Sequence, residues 1–145
     1  MVKQHTTRSE AQTATLAARL AVHLRPGDCA ALAGPLGAGK SVFARSLIRT
    51  LAGDDALIVP SPTFTLVQTY TTPRGEVWHF DLWRVADPEE IWDLGWDEAR
   101  AGIMLVEWPE RAGHLLPARR WEVALGPLPG ADDGRRICIT ETGPH

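Results

Sequence analysis

Cysteine and long apolar runs are both scarce in this chain. Its 145 residues include two cysteines, Cys29 and Cys138, which lie in short apolar runs and lack the spacing of metal ligands. We expect both to be small core residues. No apolar run approaches the roughly 20 residues that a membrane-spanning helix needs, and the polar N-terminus lacks the apolar segment of a signal peptide. The sequence therefore predicts a cytoplasmic protein that makes no contact with a membrane.

An excess of basic residues is also missing. The formal net charge of −3 at pH 7 argues against a strongly basic surface that binds nucleic acid directly and tightly. It is compatible with a partner protein that holds the nucleic acid. We find no internal repeat, low-complexity tract or interdomain linker, and 145 residues suffice for one domain with a sizeable core. We therefore predict a single domain over residues 1–145.

The most informative stretch is Gly34–Ser41, which reads GPLGAGKS. It fits the pattern G-x-x-x-x-G-K-S/T, a loop whose backbone N–H groups surround the phosphates of a nucleotide. The apolar run Cys29–Ala33 precedes it, and Phe43, Leu47 and Leu51 follow it at the spacing of one helix face. Strand, glycine loop and helix in this order are the context that the pattern requires. The sequence therefore predicts a phosphate-binding loop of the P-loop class.

The chemistry of this loop follows from its residue types. Gly34 and Gly39 can adopt backbone conformations closed to other residues, and the N–H groups of residues 37–41 are expected to point into the loop at the positive end of a helix. Lys40 can reach between the β- and γ-phosphates, and the Ser41 hydroxyl can hold Mg²⁺. A glycine turn before an ordinary helix, with Lys40 as a surface lysine, is the alternative. The predicted phosphate-binding residues are Leu36, Gly37, Ala38, Gly39, Lys40 and Ser41.

The remaining segments predict a three-layer α/β P-loop domain. Its central sheet is expected to be mixed and mainly parallel, with an antiparallel hairpin added. We expect the polar segment 1–7 to be loose at its start and a helix to begin at the capping box of Ser9 and Gln12. The other predicted elements are a short β-branched segment at Ala56–Val59, a hairpin from Phe64–Thr71 and Glu76–Phe80, a buried central strand at Ile103–Val106, and a final antiparallel pair at Trp121–Leu125 and Arg136–Thr140.

A phosphate-binding loop needs a carboxylate that holds Mg²⁺ or orients water, usually where a buried strand ends. Glu107 directly follows the apolar run Ile103–Val106, and Asp81 is a second candidate. Alternation places Asp81 and His79 on one face of their strand. Thr63, in a proline-stiffened loop, could sense the γ-phosphate. The alternatives are a solvated carboxylate, a polar hairpin edge, an ordinary loop threonine and, for His79, a structural role, which we favour over a catalytic one.

Several further motifs occur in a specific order. After the phosphate loop come Ser61–Phe64 (SPTF), His79–Arg84 (HFDLWR), Ala86–Glu90 (ADPEE) and Val106–Pro109 (VEWP). With this set, which covers nearly the whole chain, the sequence resembles the TsaE (YjeE) family of small bacterial P-loop ATPases, which are needed to make threonylcarbamoyladenosine in tRNA.

The resemblance implies an ATP-hydrolysing accessory subunit with ATP and Mg²⁺ as ligands. It implies TsaB and TsaD as partner proteins, with TsaD transferring the threonylcarbamoyl group to adenosine 37 of tRNAs that read codons beginning with A. The ATPase supports turnover of that assembly and meets tRNA only indirectly. We expect hydrolysis to be slow without the partners.

The resemblance also implies roles for individual residues. It assigns catalytic roles to Lys40, Glu107, Asp81 and Thr63, and Mg²⁺ binding to Ser41, Glu107 and Asp81. Which of the two carboxylates binds the metal and which positions water stays open. For the nucleotide base it suggests Glu10 and Thr13 on one side and Gly134 with Arg135 on the other. Ser41 replaces the threonine that is usual in the family and keeps the hydroxyl, whereas Trp83 replaces a tyrosine and lacks its phenol.

Two other functions are compatible with a phosphate-binding loop. A small-molecule or nucleotide kinase commonly carries a lid helix with arginines that closes over the acceptor. The sequence predicts a β-hairpin after the loop helix instead, and its arginines are scattered. A nucleotide-gated binding module without catalysis is the third possibility.

Overall fold

A seven-stranded mixed sheet runs through the computed structural model, which describes residues 2–143. The strand order is β1-β7-β6-β2-β5-β4-β3. The strands are β1 Val2–Thr7, β2 Cys29–Ala33, β3 Val67–Thr72, β4 Gly75–Asp81, β5 Ile103–Glu107, β6 Arg120–Leu128 and β7 Ala131–Thr142. The α-helices are α1 Glu10–Ala21, α2 Lys40–Ala52 and α3 Trp96–Ala99, and 3₁₀ segments cover Pro88–Leu94, Pro109–Arg111 and Gly113–Leu115.

The centre of the sheet is parallel and its flanks are antiparallel. Strands β6, β2, β5 and β4 run in the same direction, whereas β1 and β7 on one side and β3 on the other pair antiparallel. The carboxyl ends of β2, β5 and β4 therefore meet at one edge, where open α/β sheets bind their ligands. The predicted mixed α/β sheet is confirmed, with its parallel pairings confined to the middle.

Both faces of the sheet are covered. On one face α1 and α2 pack against the sheet through buried side chains that include Leu16, Leu20, Phe43 and Leu47. The two helices are also joined by the Ser46 hydroxyl, which donates to the carbonyl of Ala14 at 2.7 Å. On the other face, α3 and the 3₁₀ segments enclose a second cluster that includes Phe80, Trp96 and Met104. These layers give the predicted three-layer architecture.

Four local predictions agree closely with the structure. Ser9 caps α1, with its hydroxyl accepting from the N–H of Gln12 at 3.2 Å. The apolar run Cys29–Ala33 forms β2, and the β3–β4 hairpin turns at residues 72–75. Every residue of β5 is buried, as expected for a central strand.

Three segments go beyond or differ from what was predicted. Residues 2–7 form an edge strand, β1, against β7 that was not predicted, and Met1 lies outside the described residues. Because one face of this strand meets solvent, its side chains are mostly polar, and the sequence therefore lacks the apolar pattern that would predict a strand. The short β-branched segment Ala56–Val59 has irregular backbone, from which Leu57 and Val59 pack on the core. The last hairpin is longer than predicted, because β6 and β7 continue through the Gly/Pro/Asp stretch to a turn at residues 129–130.

Neither cysteine forms a disulfide. Cys29 is buried and Cys138 is half-buried, and burial raises the pKa of the Cys29 thiol to about 12. A thiol with so high a pKa is a poor nucleophile, which agrees with a packing role. In the part of the chain from residue 2 to 143, no helix combines the length and the apolar character needed to cross a bilayer.

Candidate active site

The Gly34–Ser41 loop joins β2 to α2 in a conformation that depends on its glycines. Gly34, Gly37 and Gly39 have φ angles of +150°, +78° and +98°, which residues with a Cβ rarely adopt. Gly39 is also the residue that precedes the first turn of α2. The loop thus curves around the beginning of the helix, as a phosphate-binding loop must.

Backbone donors are concentrated at this helix end. The first intrahelical bond runs from the N–H of Phe43 to the carbonyl of Gly39 at 3.0 Å, so the N–H groups of residues 40–42 have no partner within the helix. The Ala38 N–H was expected to point into the loop as a free donor. It instead donates to the carbonyl of Pro35 at 3.1 Å and is therefore already engaged within the loop. The remaining donors and the helix dipole favour an anion here.

The side chain of Lys40 folds back over its own loop. Its ammonium donates to the carbonyls of Gly34 and Pro35, the latter at 3.2 Å, and lies 3.7 Å from the centroid of the Trp108 ring. Burial lowers the pKa of Lys40, while the negative charges of Glu107, Glu110 and Asp81 oppose that shift. The cation is thus held beside the loop by neutral partners, which a negatively charged phosphate can replace.

The neighbouring strands β4 and β5 each end in a buried carboxylate. Asp81 ends β4, Glu107 ends β5, and the two residues are paired in the sheet register. Asp81 is 5% exposed and Glu107 is 3% exposed. Glu107 Oε2 lies 2.7 Å from Nε2 of His79. Buried charges of one sign side by side are costly unless a cation or hydrogen bonds compensate them, so this pair is suited to a cation.

The loop that carries Thr63 is tied to Asp81. The Thr63 hydroxyl donates to Oδ2 of Asp81 at 3.2 Å, and the Ser61 and Thr63 hydroxyls lie 2.9 Å apart. Since a hydroxyl has one proton to donate, Ser61 donates to Thr63. The second oxygen of Asp81 accepts from the N–H of Trp83 at 3.0 Å. Both oxygens of this carboxylate are therefore fixed by the protein.

Most of the predicted site residues line one cavity of about 300 Å³ at the carboxyl edge of the sheet. The predicted residues around it are Leu36, Gly37, Ala38, Gly39, Lys40, Ser41, Thr63, Asp81, Glu107 and Arg135, and the others are Val42, Ser61 and Trp108. The roles assigned to them stay predictions.

The residues suggested for the nucleotide base are more dispersed. Arg135 reaches the phosphate loop and donates to the carbonyl of Gly37 at 3.1 Å. Gly134 is buried, and its carbonyl accepts from Arg135 at 2.7 Å. Thr13 is buried with its hydroxyl 2.7 Å from that of Thr7. Glu10 lines a separate cavity between α1 and α2. The side chains of Glu10 and Thr13 are therefore outside the cavity that holds the phosphate loop.

Sequence reasoning missed Trp108 as part of the site. The residue has a left-handed backbone conformation, with φ of +57°, directly after Glu107. This conformation is uncommon for a bulky residue. The indole contacts the Lys40 ammonium and also the Trp83 ring, whose centroid is 4.4 Å away. Its place after a buried strand that ends in a carboxylate was the available signal.

The donor set fits a magnesium ion that is shared with a nucleotide. Among residues 2–143, no three His, Cys, Asp or Glu side chains converge as a protein-only metal site. Mg²⁺ usually takes one or two carboxylates, waters and substrate phosphates instead of a complete protein cage. Ser41, Asp81 and Glu107 offer the hydroxyl and carboxylate oxygens for such a site.

Gly34 gives a direct test of the loop geometry. A Cβ at Gly34 would overlap the carbonyl oxygen of Leu125 on β6. We expect Gly34→Ala to lower the free energy of unfolding by about 3 kcal/mol or more, measured by urea unfolding, and to weaken nucleotide binding. Gly27→Ala is the matched control, because Gly27 also has a positive φ of +97° but open space around it, so only backbone strain of about 1 kcal/mol is expected. Equal losses in the two variants would contradict the proposed contact.

Comparisons with known proteins agree on one family. The family model described as "Threonylcarbamoyl adenosine biosynthesis protein TsaE" matches residues 7–136. A Rickettsia conorii protein named tRNA threonylcarbamoyladenosine biosynthesis protein TsaE is 44% identical over 135 residues, which are 92% of this chain and 75% of the relative. The Bacillus subtilis protein of that name is 35% identical over 134 residues, covering 91% of this chain and 81% of the relative.

A solved structure supports the same assignment at the level of the fold. The crystal structure of Bacillus subtilis YdiB superposes with a TM-score of 0.77 and 32% sequence identity, over 99% of this chain and 88% of that one. The family model covers the phosphate loop and both carboxylates. The chain therefore belongs to the TsaE family of threonylcarbamoyl adenosine biosynthesis proteins.

Proposed function

We propose that this protein is an ATP-hydrolysing accessory subunit in the synthesis of threonylcarbamoyladenosine at position 37 of tRNAs that read codons beginning with A. It acts as one domain over residues 1–145, in the cytoplasm, with TsaB and TsaD as partners. The observation that carries the proposal is a single cavity bordered by the phosphate loop and two buried carboxylates, in a chain of the TsaE family.

The phosphate loop binds the triphosphate. The N–H groups at the start of α2 donate to phosphate oxygens, and Lys40 leaves the carbonyls of Gly34 and Pro35 to contact the β- and γ-phosphates. Mg²⁺, when bound, would be held by Ser41 and Asp81 and would neutralise part of the phosphate charge. Ser41 offers its hydroxyl to the metal.

The two carboxylates differ in how much freedom the protein leaves them. Both oxygens of Asp81 accept hydrogen bonds, from Thr63 and from the N–H of Trp83, which suits a rigid ligand of the metal. Glu107 is held through Oε2 alone, and no hydrogen bond from residues 2–143 reaches Oε1. We therefore assign to Glu107 the orientation of the attacking water and to Asp81 the metal.

The loop of Thr63 couples the nucleotide to the surface. Thr63 touches Asp81 at the cavity, and the next residue, Phe64, is 81% exposed. A γ-phosphate that orders Thr63 therefore also orders a large apolar side chain that partner proteins can contact. This arrangement supports a conformational output from ATP hydrolysis. The net charge of −3 favours indirect contact with tRNA.

Reconstitution of the tRNA modification tests the proposal. TsaB, TsaD, tRNA and the threonylcarbamoyl donor are combined with and without this chain, and modified tRNA is counted over several turnovers together with ATP hydrolysis. We expect this chain to sustain repeated turnovers and its ATP hydrolysis to rise when the partners are present. No effect on turnover, or no ATP hydrolysis in any mixture, would refute the proposal.

Two further assays, the first in the same reconstitution, separate the alternative functions. A slowly hydrolysed ATP analogue supports full turnover if the protein is a nucleotide-gated module without catalysis. A screen with labelled ATP for phosphate transfer to nucleosides and metabolites detects a kinase. For the proposed ATPase, the analogue stops turnover and the label appears as inorganic phosphate.

A further inference from the structure

We propose that His79 is the positioning residue for Glu107, holding one carboxylate oxygen so that the other faces the nucleotide cavity. This inference rests on the proposed ATPase function. His79 lies on β4, two residues before Asp81 and on the same face of the strand. Its sheet partner is Leu105 on β5, so its side chain reaches along that face to the next inward residue, Glu107.

The contact is short and enclosed. Nε2 of His79 and Oε2 of Glu107 are 2.7 Å apart, and the two side chains are 3% and 4% exposed. Because an ionised carboxylate only accepts hydrogen bonds, Nε2 carries the proton and donates it. A charge-assisted bond shielded from water restricts the rotation of both side chains. Glu107 is thereby fixed in one rotamer.

The second nitrogen of the ring distinguishes this histidine from a structural one. Nδ1 is buried and has no hydrogen-bond partner among the described residues. A histidine kept for the stability of the core normally uses both nitrogens. Here the bond to Glu107 is the one polar contact that the imidazole makes within residues 2–143. The ring therefore serves the orientation of that carboxylate, as residues behind catalytic or metal-binding groups commonly do.

An unrestrained Glu107 would have a cation, Lys40, within electrostatic reach. Among the charged groups that act on Lys40, Glu107 has the strongest influence. Without the bond to His79, the carboxylate can turn toward the Lys40 ammonium and pair with it. Such a pair would both misplace the carboxylate and occupy the cation that phosphate needs. His79 thus keeps the two functional groups apart.

Three substitutions separate positioning from packing. His79→Ala removes the donor. His79→Gln places an amide N–H the same number of bonds from Cα as Nε2, whereas His79→Asn places one at the level of Nδ1, too short to reach Glu107. Gln and Asn have the same polarity, so their difference reports reach. We expect kcat for ATP to fall about 10- to 100-fold in the Ala and Asn variants, with KM changed less than about threefold, and Gln to recover most of the loss.

Two further measurements complete the test. In a Glu107→Gln background, His79→Ala should add less than about a threefold loss, because the histidine acts through that carboxylate. Crystal structures of the Ala and Gln variants should show Glu107 displaced in the first and in place in the second. All kinetics are measured well below the melting temperature of each variant.

Several results would overturn the inference. One is an Ala variant whose kcat is near that of the parent, and another is a Gln variant as impaired as the Asn variant. The inference also fails if the losses in the double variant are independent, or if Glu107 is not displaced in the crystal structure of the Ala variant. An unmodified chain that hydrolyses no ATP even with its partners would instead refute the proposed function. In that case the position of Glu107 in the crystal structures still decides the role of His79.

Discussion

Replacing Lys40 with methionine is expected to weaken ATP binding by roughly 10²–10³-fold, or about 3–4 kcal/mol. The ammonium lies at the phosphate loop, bonded to the carbonyls of Gly34 and Pro35. Methionine matches the four-atom apolar stem of lysine but lacks the ammonium and cannot donate to phosphate, so the charge of the triphosphate loses this partner. Isothermal titration calorimetry with ATP and Mg²⁺ measures the change.

The chain has one other lysine, Lys3, and this provides the control. Lys3 is exposed on the edge strand β1, so Lys3→Met removes the same charge from the protein as a whole. We expect its affinity for ATP to match that of the parent chain. If Lys40→Met binds ATP as well as Lys3→Met does, the phosphates are not bound at Gly34–Ser41.

Replacing Glu107 with glutamine is expected to lower kcat for ATP hydrolysis by roughly 10²–10³-fold while ATP stays bound. Glutamine keeps the size of the side chain and can still accept from His79, but it lacks the negative charge that orients and activates water. The phosphate loop and Lys40 are untouched, so the dissociation constant for ATP should change by less than about threefold. Phosphate release, measured with the partner proteins present, reports kcat.

Glu98 supplies the matching control for this change. It is an exposed glutamate on α3, on the other face of the sheet from α2, so Glu98→Gln should hydrolyse ATP like the parent. Hydrolysis by Glu107→Gln at the parent rate would remove Glu107 from the reaction. A large loss of ATP affinity in that variant would instead make it chiefly a ligand of the bound nucleotide and metal.

The sequence was sufficient for those parts of the protein where local chemistry decides the structure. The loop Gly34–Ser41 could be predicted because its glycines, lysine and serine occupy fixed positions between a strand and a helix. Ile103–Val106 could be predicted as a central strand because a continuous apolar run suits burial on both faces. Glu107 could be named as a candidate carboxylate because it directly follows that strand, whereas its pairing with Asp81 is seen only in the structure.

Other features depend on contacts between distant segments. The edge strand β1 is stabilised by its pairing with β7, which no local pattern in its polar sequence reveals. The bond between His79 and Glu107 joins residues 28 positions apart, and the contact of Lys40 with Trp108 depends on a left-handed backbone at the latter. The register of β4 against β5 determines the contact of His79 with Glu107, and the turn after β5 determines the contact of Lys40 with Trp108.

In the proposed ATPase, the contacts of the Lys40 ammonium with two carbonyls and the Trp108 indole affect nucleotide exchange. An incoming triphosphate has to break these contacts before its phosphates can bind Lys40, and the contacts form again when the product dissociates. Net affinity is therefore lower than the loop's donors alone would give, and the dwell time of ADP is shortened. Rapid release of the product suits the proposed function, in which the subunit cycles repeatedly beside its partners.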